Sequence, residues 1–320
     1  MIAIGGSLGA LDALRSLWAS LPGDLAASLF VVVHVGSAGN NFIGDILSSS
    51  GAIRATTAVD GEAIERGRAY VAPADHHLLV MDGVLRLGRG PRENMARPAL
   101  DPLFRSVGAS YGPRAIAVVL TGLLDDGAAG LVDLKRCGGI AVVQSPADAA
   151  APDMPLEALR TCDVDYRASI ADMASVLVRL SAEDAGPRVD VPADILAEID
   201  IALGRQADSA VVAQLADPVP ISCPACGGVL SQVKRQPPLR FRCQVGHAYT
   251  AESLSAAQEG SIDEALRVAL KILEERAVLT RKLAEDALRS GRHAAGRLYE
   301  KRAVESRASA DVLRRAIGEV

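Results

Sequence analysis

Aromatic residues are scarce: one Trp, five Tyr and four Phe make up 3% of 320 residues. With apolar residues at 49% and Ala, Val and Leu dominant, the core must be aliphatic, as in helix-covered parallel sheets. Basic excess is also missing. The formal net charge is −5, so no global field draws the chain to nucleic acid, and nucleic-acid binding is not expected. Long apolar runs are absent. Leu29 to Val33 is of strand length, which excludes membrane insertion. Met1 leads almost directly into a strand, with no basic segment and no apolar core of a signal peptide, so a cytoplasmic location is expected. Five cysteines (Cys137, Cys162, Cys223, Cys226 and Cys243) are an odd number, which argues against a disulfide framework.

What is present is an α/β alternation over residues 1–182. Met1–Ile4, Leu29–Val35, Arg68–Ala72, Ala115–Leu120 and Ile140–Gln144 read as strands. Leu11–Leu21, Asn41–Ser49, Ala99–Tyr111 and Ala128–Cys137 read as helices. Asp82-Gly83 between two apolar runs marks a hairpin. This order implies βαβ units and a doubly wound, mostly parallel sheet. Residues 183–220 carry scattered Pro, Asp and Ala and read as a linker, with a short helix around Ile195–Leu203. A flexible linker of this length spans roughly 30–40 Å, enough to let the C-terminal segments reach the catalytic edge. Residues 221–250 form a compact cysteine-bearing unit. Residues 251–320 end in two long helical stretches, broken at Ser290-Gly291, that predict a helical hairpin or coiled coil.

Three segments deliver chemistry to one sheet edge. Ser7 lies in Gly5-Gly6-Ser7-Leu8-Gly9, His34 follows Val31-Val32-Val33, and Asp126 follows Leu120-Thr121-Gly122-Leu123-Leu124-Asp125. In an open parallel sheet the ligand crevice lies beyond the carboxyl ends of the strands. A serine, a histidine and an aspartate brought there suit a nucleophile, a base and an orienting acid. Amides at the start of the following helix suit an oxyanion. The same glycines would also suit a dinucleotide phosphate, but that fold needs an acidic residue at the end of the second strand, where this chain has His34. The three residues taken alone have plain structural readings; for Asp126 it is a helix N-cap.

A second constellation, Cys223-x2-Cys226-x16-Cys243-x3-His247, has the spacing of two metal knuckles. Three thiolates and one histidine fill a tetrahedral zinc site and leave no open position, so the zinc would be structural. A unit this small cannot fold on an apolar core alone. Lys234, Arg235, Arg240 and Arg242 make it locally basic.

Residues 1 to about 180 resemble the catalytic domain of the chemotaxis protein-glutamate methylesterases (CheB). The resemblance rests on Ile4-Gly5-Gly6-Ser7-Leu8-Gly9-Ala10, Val33-His34, Asp60-Gly61-Glu62, Tyr70-Val71-Ala72-Pro73-Ala74-Asp75-His76-His77, Arg97-Pro98-Ala99-Leu100-Asp101-Pro102-Leu103-Phe104, Leu120-Thr121-Gly122, Asp126-Gly127-Ala128-Ala129-Gly130 and Met154-Pro155. It implies hydrolysis of γ-glutamyl methyl esters and deamidation of glutamines on chemoreceptor-like proteins. It places the triad on Ser7, His34 and Asp126, needs no cofactor for catalysis, and makes a methylated receptor the substrate, with a methyltransferase or response regulator as further partners. Arg97, Leu8, Gly9 and Leu123 are the expected substrate-binding residues. Asp101 reads as a surface salt-bridge partner, Asp125 as solvated and His77 as a turn residue. The chain departs from the family where Thr-Gly-Met-Gly becomes Thr121-Gly122-Leu123-Leu124. The family's phosphorylated receiver domain has no counterpart within these 320 residues, which begin at the first strand of the catalytic domain, so either a receiver-less form or a shortened N-terminus is expected; a subset of receiver-less relatives resembles the chain in carrying a zinc-ribbon-like segment and trailing helices. The competing reading is a catalytically degenerate scaffold that signals through its zinc unit and helices.

Overall fold

The computed structural model describes residues 1–34, 42–205, 213 and 215–318. Val35 and Asn41, at the ends of two expected elements, lie outside them. A seven-stranded sheet in the order β3-β4-β2-β1-β7-β8-β9, every neighbouring pair parallel, forms the centre. Its strands are β1 (Ile2–Gly6), β2 (Leu29–Val33), β3 (Ala55–Thr57), β4 (Ala69–Val71), β7 (Ile116–Val119), β8 (Ile140–Gln144) and β9 (Tyr166–Ala168). The chain winds outward from β1 through β2, then returns to β7 on β1's other side. This reversal is the topological switch point at which such sheets bind ligands.

Alternate strand residues face opposite layers. Ile2, Ile4, Val31, Val33, Val118 and Val142 pack with Leu14, Leu17 and Trp18 of α1 (Ala10–Ser20), Leu47 of α2 (Ile43–Ser50), and Met173 and Leu177 of α6 (Ile170–Ala182). Ala3, Phe30, Val32, Ala117, Val119 and Val143 pack with α3 (Leu100–Tyr111), α4 (Ala128–Arg136), α5 (Asp153–Thr161) and the hairpin of β5 (His77–Met81) and β6 (Val84–Gly88). The hairpin turns at Asp82 and Gly83, both with positive φ, as the Asp-Gly pair predicts.

The C-terminal part departs from expectation. The short helix foreseen near Ile195 is α7 (Ala193–Leu203), and it is not adrift in a linker. Ile195, Ile199 and Ala202 pack on Leu79 and Cys137. The cysteine unit is a four-stranded antiparallel sheet of β10 (Ala216–Ser222), β11 (Val229–Val233), β12 (Arg240–Cys243) and β13 (Ala248–Thr250). It belongs to the same compact unit as the parallel sheet, Met1–Leu254. Residues 183–220 therefore do not act throughout as a flexible tether. The second unit, Ser255–Val320, holds most of α8 (Ala251–Arg289) and all of α9 (His293–Gly318).

Charge joins the two sheets of the first unit. Arg105 of α3, fully buried, contacts Asp133 of α4 at 3.0 Å, Glu198 of α7 at 2.9 Å and Glu93 at 3.4 Å. From β12, Arg242 reaches Glu93 at 3.3 Å and Glu198 at 2.9 Å, and Arg240 reaches Glu198 at 2.5 Å. Of the four residues that make the cysteine unit locally basic in sequence, Arg240 and Arg242 thus add no charge to its surface. Both are buried against carboxylates, because a guanidinium removed from water needs a fixed anion. Burial alone would raise Glu198, but the three arginines outweigh it and hold its carboxyl below the ordinary value.

Candidate active site

Ser7, His34 and Asp126 follow β1, β2 and β7 and share the wall of a cavity of about 410 Å³ with Arg92, Asn94, Met95, Ala96, Arg97, Leu123, Leu124 and Ser253. A larger cavity, about 740 Å³, opens at the amino ends of the strands around Ser28 and Arg114 and holds none of the three.

The serine turn is pinned from β7. Ser7 N donates to Thr121 O at 2.9 Å, and Thr121 Oγ1 sits between the Leu8 and Ala151 carbonyls at 3.0 and 3.1 Å. Gly9 turns the chain into α1 with φ 78, a left-handed value that glycine takes without strain. Gly122 supports the turn from below. A Cβ there would lie 3.0 Å from Ser7 Cβ and 2.1 Å from Met154 Sδ. Ala10 N donates to Ser7 O, whereas the N–H groups of Leu8 and Gly9 bond to none of the described residues.

His34 Nε2 donates to Asp126 Oδ2 at 2.7 Å, which leaves Nδ1 as the ring nitrogen for Ser7. Among the described residues no hydrogen bond joins Ser7 Oγ to His34. Apo sites often hold such pairs loosely. Asp126 is buried and accepts three further N–H bonds, from Leu100 N at 2.7 Å, Asn94 Nδ2 at 2.9 Å and Asp101 N at 3.4 Å. Burial alone would raise its carboxyl. The bond and charge of His34, with Leu100 N–H and Asn94, outweigh burial and hold it below the ordinary value.

Sequence reasoning placed two carboxylates wrongly. Asp101 is buried, and its Oδ1 accepts from Gly127 N and Gly130 N at 3.1 and 2.6 Å, capping α4 from α3. Burial and the Asp126 charge push its carboxyl up to about 8. Asp125 is buried too, bonded to Ser253 Oγ at 2.6 Å. His77 is fully buried. It accepts from Ala99 N on Nδ1 and donates from Nε2 to Pro91 O, and burial lowers it toward the neutral form. Asn94 and Ser253 carried no signal in the sequence, since each meets the site through partners far away in the chain.

Of the expected substrate-binding residues, Leu123 lines the cavity and is half exposed. Leu8 is exposed beside Ser7 and, like Gly9, lies off the wall. Arg97 lines it but is already engaged, with Nη2 2.6 Å from Asp75 Oδ1 and Nη1 2.8 Å from Gly90 O, so it sets the 89–97 loop. That hydrogen bond holds the Asp75 carboxyl below the ordinary value.

Cys223, Cys226, Cys243 and His247 bring their ligand atoms within 4.8 Å of one another. Cys226 Sγ–Cys243 Sγ is 3.7 Å, and His247 Nδ1 lies 3.5 and 3.8 Å from the sulfurs of Cys243 and Cys223. A tetrahedron with Zn–S near ~2.3 Å and Zn–N near ~2.0 Å has edges of about 3.5–3.8 Å, so the donor set fits zinc. Burial would raise the Cys223 thiol, but Tyr249 OH and the Cys226 and Ala225 amides lower it. Burial, Arg92 and Arg97 push His247 toward the neutral form that binds metal.

Residues 2–177 match the family model described as CheB methylesterase. The chain belongs to the CheB methylesterase family. A putative protein-glutamate methylesterase/protein-glutamine glutaminase of Leptospira interrogans is 36% identical over 180 residues, 56% of this chain and 93% of that one. Proteins named protein-glutamate methylesterase/protein-glutamine glutaminase from Methanosarcina mazei and Xanthomonas campestris pv. campestris are 31% and 35% identical. Each match covers about half of either chain, 56% and 57% of this one against 51% and 52% of the relative. The crystal structure of the Thermotoga maritima CheB methylesterase catalytic domain superposes with a TM-score of 0.54 at 27% identity, covering 56% of this chain and 97% of that one. The family match ends before α7 and the cysteine sheet. Within it, Leu124 stands in a left-handed conformation, φ 62, where the family's glycine would sit without strain.

Proposed function

We propose that the chain is a serine hydrolase that cleaves γ-glutamyl methyl esters, and deamidates glutamines, on chemoreceptor-like signalling proteins. The observation that carries this reading is the buried Asp126 carboxylate bonded to His34 at 2.7 Å on the wall that also holds Ser7. His34 Nδ1 takes the Ser7 proton as Oγ attacks the ester carbonyl. Asp126 fixes the tautomer and stabilises the imidazolium. The free N–H groups of Leu8 and Gly9 receive the oxyanion. Protonation by His34 expels methanol, or ammonia from a glutamine. Water, deprotonated by His34, then attacks the acyl-enzyme and releases glutamate and Ser7. Cys223, Cys226, Cys243 and His247 would hold a zinc whose role would be structural, since three thiolates and one imidazole fill its four positions and leave none for substrate or water.

Fluorophosphonate labelling tests the reading without knowledge of the receptor. The wild type is expected to label at Ser7, and Ser7→Ala to abolish labelling and release of methanol from a methylated receptor fragment. Equal methanol release by both proteins overturns it and favours a scaffold.

A further inference from the structure

The cysteine sheet lies outside the family match, yet it reaches the catalytic carboxylate through one side chain. Asn94 is buried, and each polar group of its carboxamide is used. Nδ2 donates to Asp126 Oδ1 and to Asp101 Oδ2, both at 2.9 Å, and Oδ1 accepts from Thr250 N of β13 at 3.1 Å. Such an amide has a single orientation, because a flipped one would set its oxygen against two carboxylates.

The backbone beneath it is unusual. Asn94 and Met95 are successive left-handed residues, φ 49 and 63. That conformation is unfavourable at each non-glycine position, least for Asn, and persists only where the surroundings impose it. Here β13 imposes it. Asn94 N donates to Ala248 O at 2.9 Å, and Ala248 N donates to Arg92 O at 3.2 Å. Next to the turn, Glu93 is held by Arg105 and by Arg242, and Arg242 also donates to Gly246 O inside the Cys243–His247 knuckle. An unbroken line of hydrogen bonds and chain therefore runs from the knuckle through Ala248 and Asn94 to Asp126 and His34.

We propose that Asn94 is the positioning residue for the Asp126 carboxylate, and that the Cys₃His sheet, by holding Asn94, is a working part of the active site rather than an appended module. The proposal rests on the Ser7–His34–Asp126 reading above. Asn94 does not touch the reacting atoms. It fixes Asp126 and places an N–H donor between that carboxylate and Asp101. Without it the two buried carboxyl groups face each other unscreened. The titratable groups around Asp126 are then His34, Asp101, Asp125 and His77, and the first effect is tighter proton binding by the Asp101–Asp126 pair.

The test uses the full chain. Asn94→Gly keeps the left-handed turn and removes the carboxamide; Asn94→Asp keeps the shape and replaces donors by a third carboxylate. Circular dichroism verifies that each is folded at the assay temperature. The fluorophosphonate labelling rate is expected to fall about tenfold to a hundredfold in Asn94→Gly, the scale seen when the partner orienting a functional group is lost, and further in Asn94→Asp. The acid limb of the pH–rate profile moves to higher pH. A second readout does not depend on turnover. The NMR signal of the His34 Nε2 proton is expected to shift or exchange out in Asn94→Gly, and to do the same in wild-type protein after chelation of its metal. Wild-type labelling that Ser7→Ala does not abolish overturns the serine reading. Labelling confined to Ser7, with a folded Asn94→Gly that matches the wild type in rate and acid limb, overturns the Asn94 assignment alone. A His34 signal unchanged by chelation overturns the part assigned to the cysteine sheet.

Discussion

Ser253 Oγ donates to Asp125 Oδ1 at 2.6 Å, and Asp125 is next to Asp126 in sequence and, like it, buried. Burial raises the Asp125 carboxyl to about 6, against the pull of Ser253 and Thr250. A carboxyl whose folded value exceeds its unfolded one adds stability below the unfolded value and loses it as pH rises through the folded one. Asp125 ionised at neutral pH therefore destabilises the fold, by up to ~3 kcal/mol at roughly 1.4 kcal/mol per pH unit. Asp125→Asn is expected to raise the melting temperature at pH 8 and to change it little at pH 4. An equal effect at both values would show that the charge is not the cause.

Asp126→Asn keeps the shape of the orienting residue but removes the charge and favours the wrong His34 tautomer. Turnover is expected to fall by roughly 10⁴, with the fold intact, as in other triads. His34→Ala is expected to lose about as much as Ser7→Ala, because the members act as a unit. Steady-state methanol release from a methylated receptor fragment measures both.

The Arg105–Arg240–Arg242 cluster leans on Glu198. Glu198→Gln leaves three buried guanidinium groups short of an anion, and the expected cost is about 3–5 kcal/mol in urea unfolding. Because the Glu198 carboxyl is held below its ordinary value, its contribution is present above that value and declines as pH falls toward the folded one. A cost under about 1 kcal/mol would mean that the cluster does not cement the two sheets.

One zinc per chain is expected from elemental analysis, with Zn–S near ~2.3 Å by X-ray absorption. Were residues 221–250 a separate module too small to fold without metal, chelation would unfold them and spare the rest. With both sheets in one compact unit, a single calorimetric transition covering Met1–Leu254 is expected to move down on chelation. Two separate transitions, of which only one moves, would return the independent-module view.

Truncation separates the same views. A chain ended at residue 260 keeps the unit Met1–Leu254 and is expected to fold and to label at Ser7. A chain ended at residue 220 strips Glu93 and Glu198 of Arg240 and Arg242, and Asn94 of Thr250. It is expected to aggregate or to lose labelling, as limited proteolysis and probe uptake would report.

Much of the parallel sheet could be read from the chain because its cause is local. Runs such as Leu29–Val33 and the Asp82-Gly83 turn carry their signal in adjacent residues. The edge strand β3 and the elements between Pro152 and Ala182 were missed, being short or without a clear period. At the site, Ser7, His34 and Asp126 stood out because strand ends at a switch point are where chemistry collects. Asn94, Asp101 and the arginine cluster did not. Arg242 and Glu93 are 149 residues apart, and nothing in the neighbourhood of either announces a buried partner. A charged residue with no visible partner reads as exposed, which is why Asp101 reads as a surface salt-bridge partner and Asp125 as solvated.

The strand β13 closes the antiparallel sheet, and a closing strand ordinarily offers a row of unpaired N–H and C=O groups that another chain can extend. Here residues 92–94 occupy that row, with Glu93 bridged in parallel to Ala248 and Asn94 bonded at Ala248 and Thr250. The contacts that hold the Asn94 turn thus also deny the strand to a neighbour. Any change that frees the turn should leave a protein that is both slow and sticky, so loss of activity and self-association are bound to emerge together.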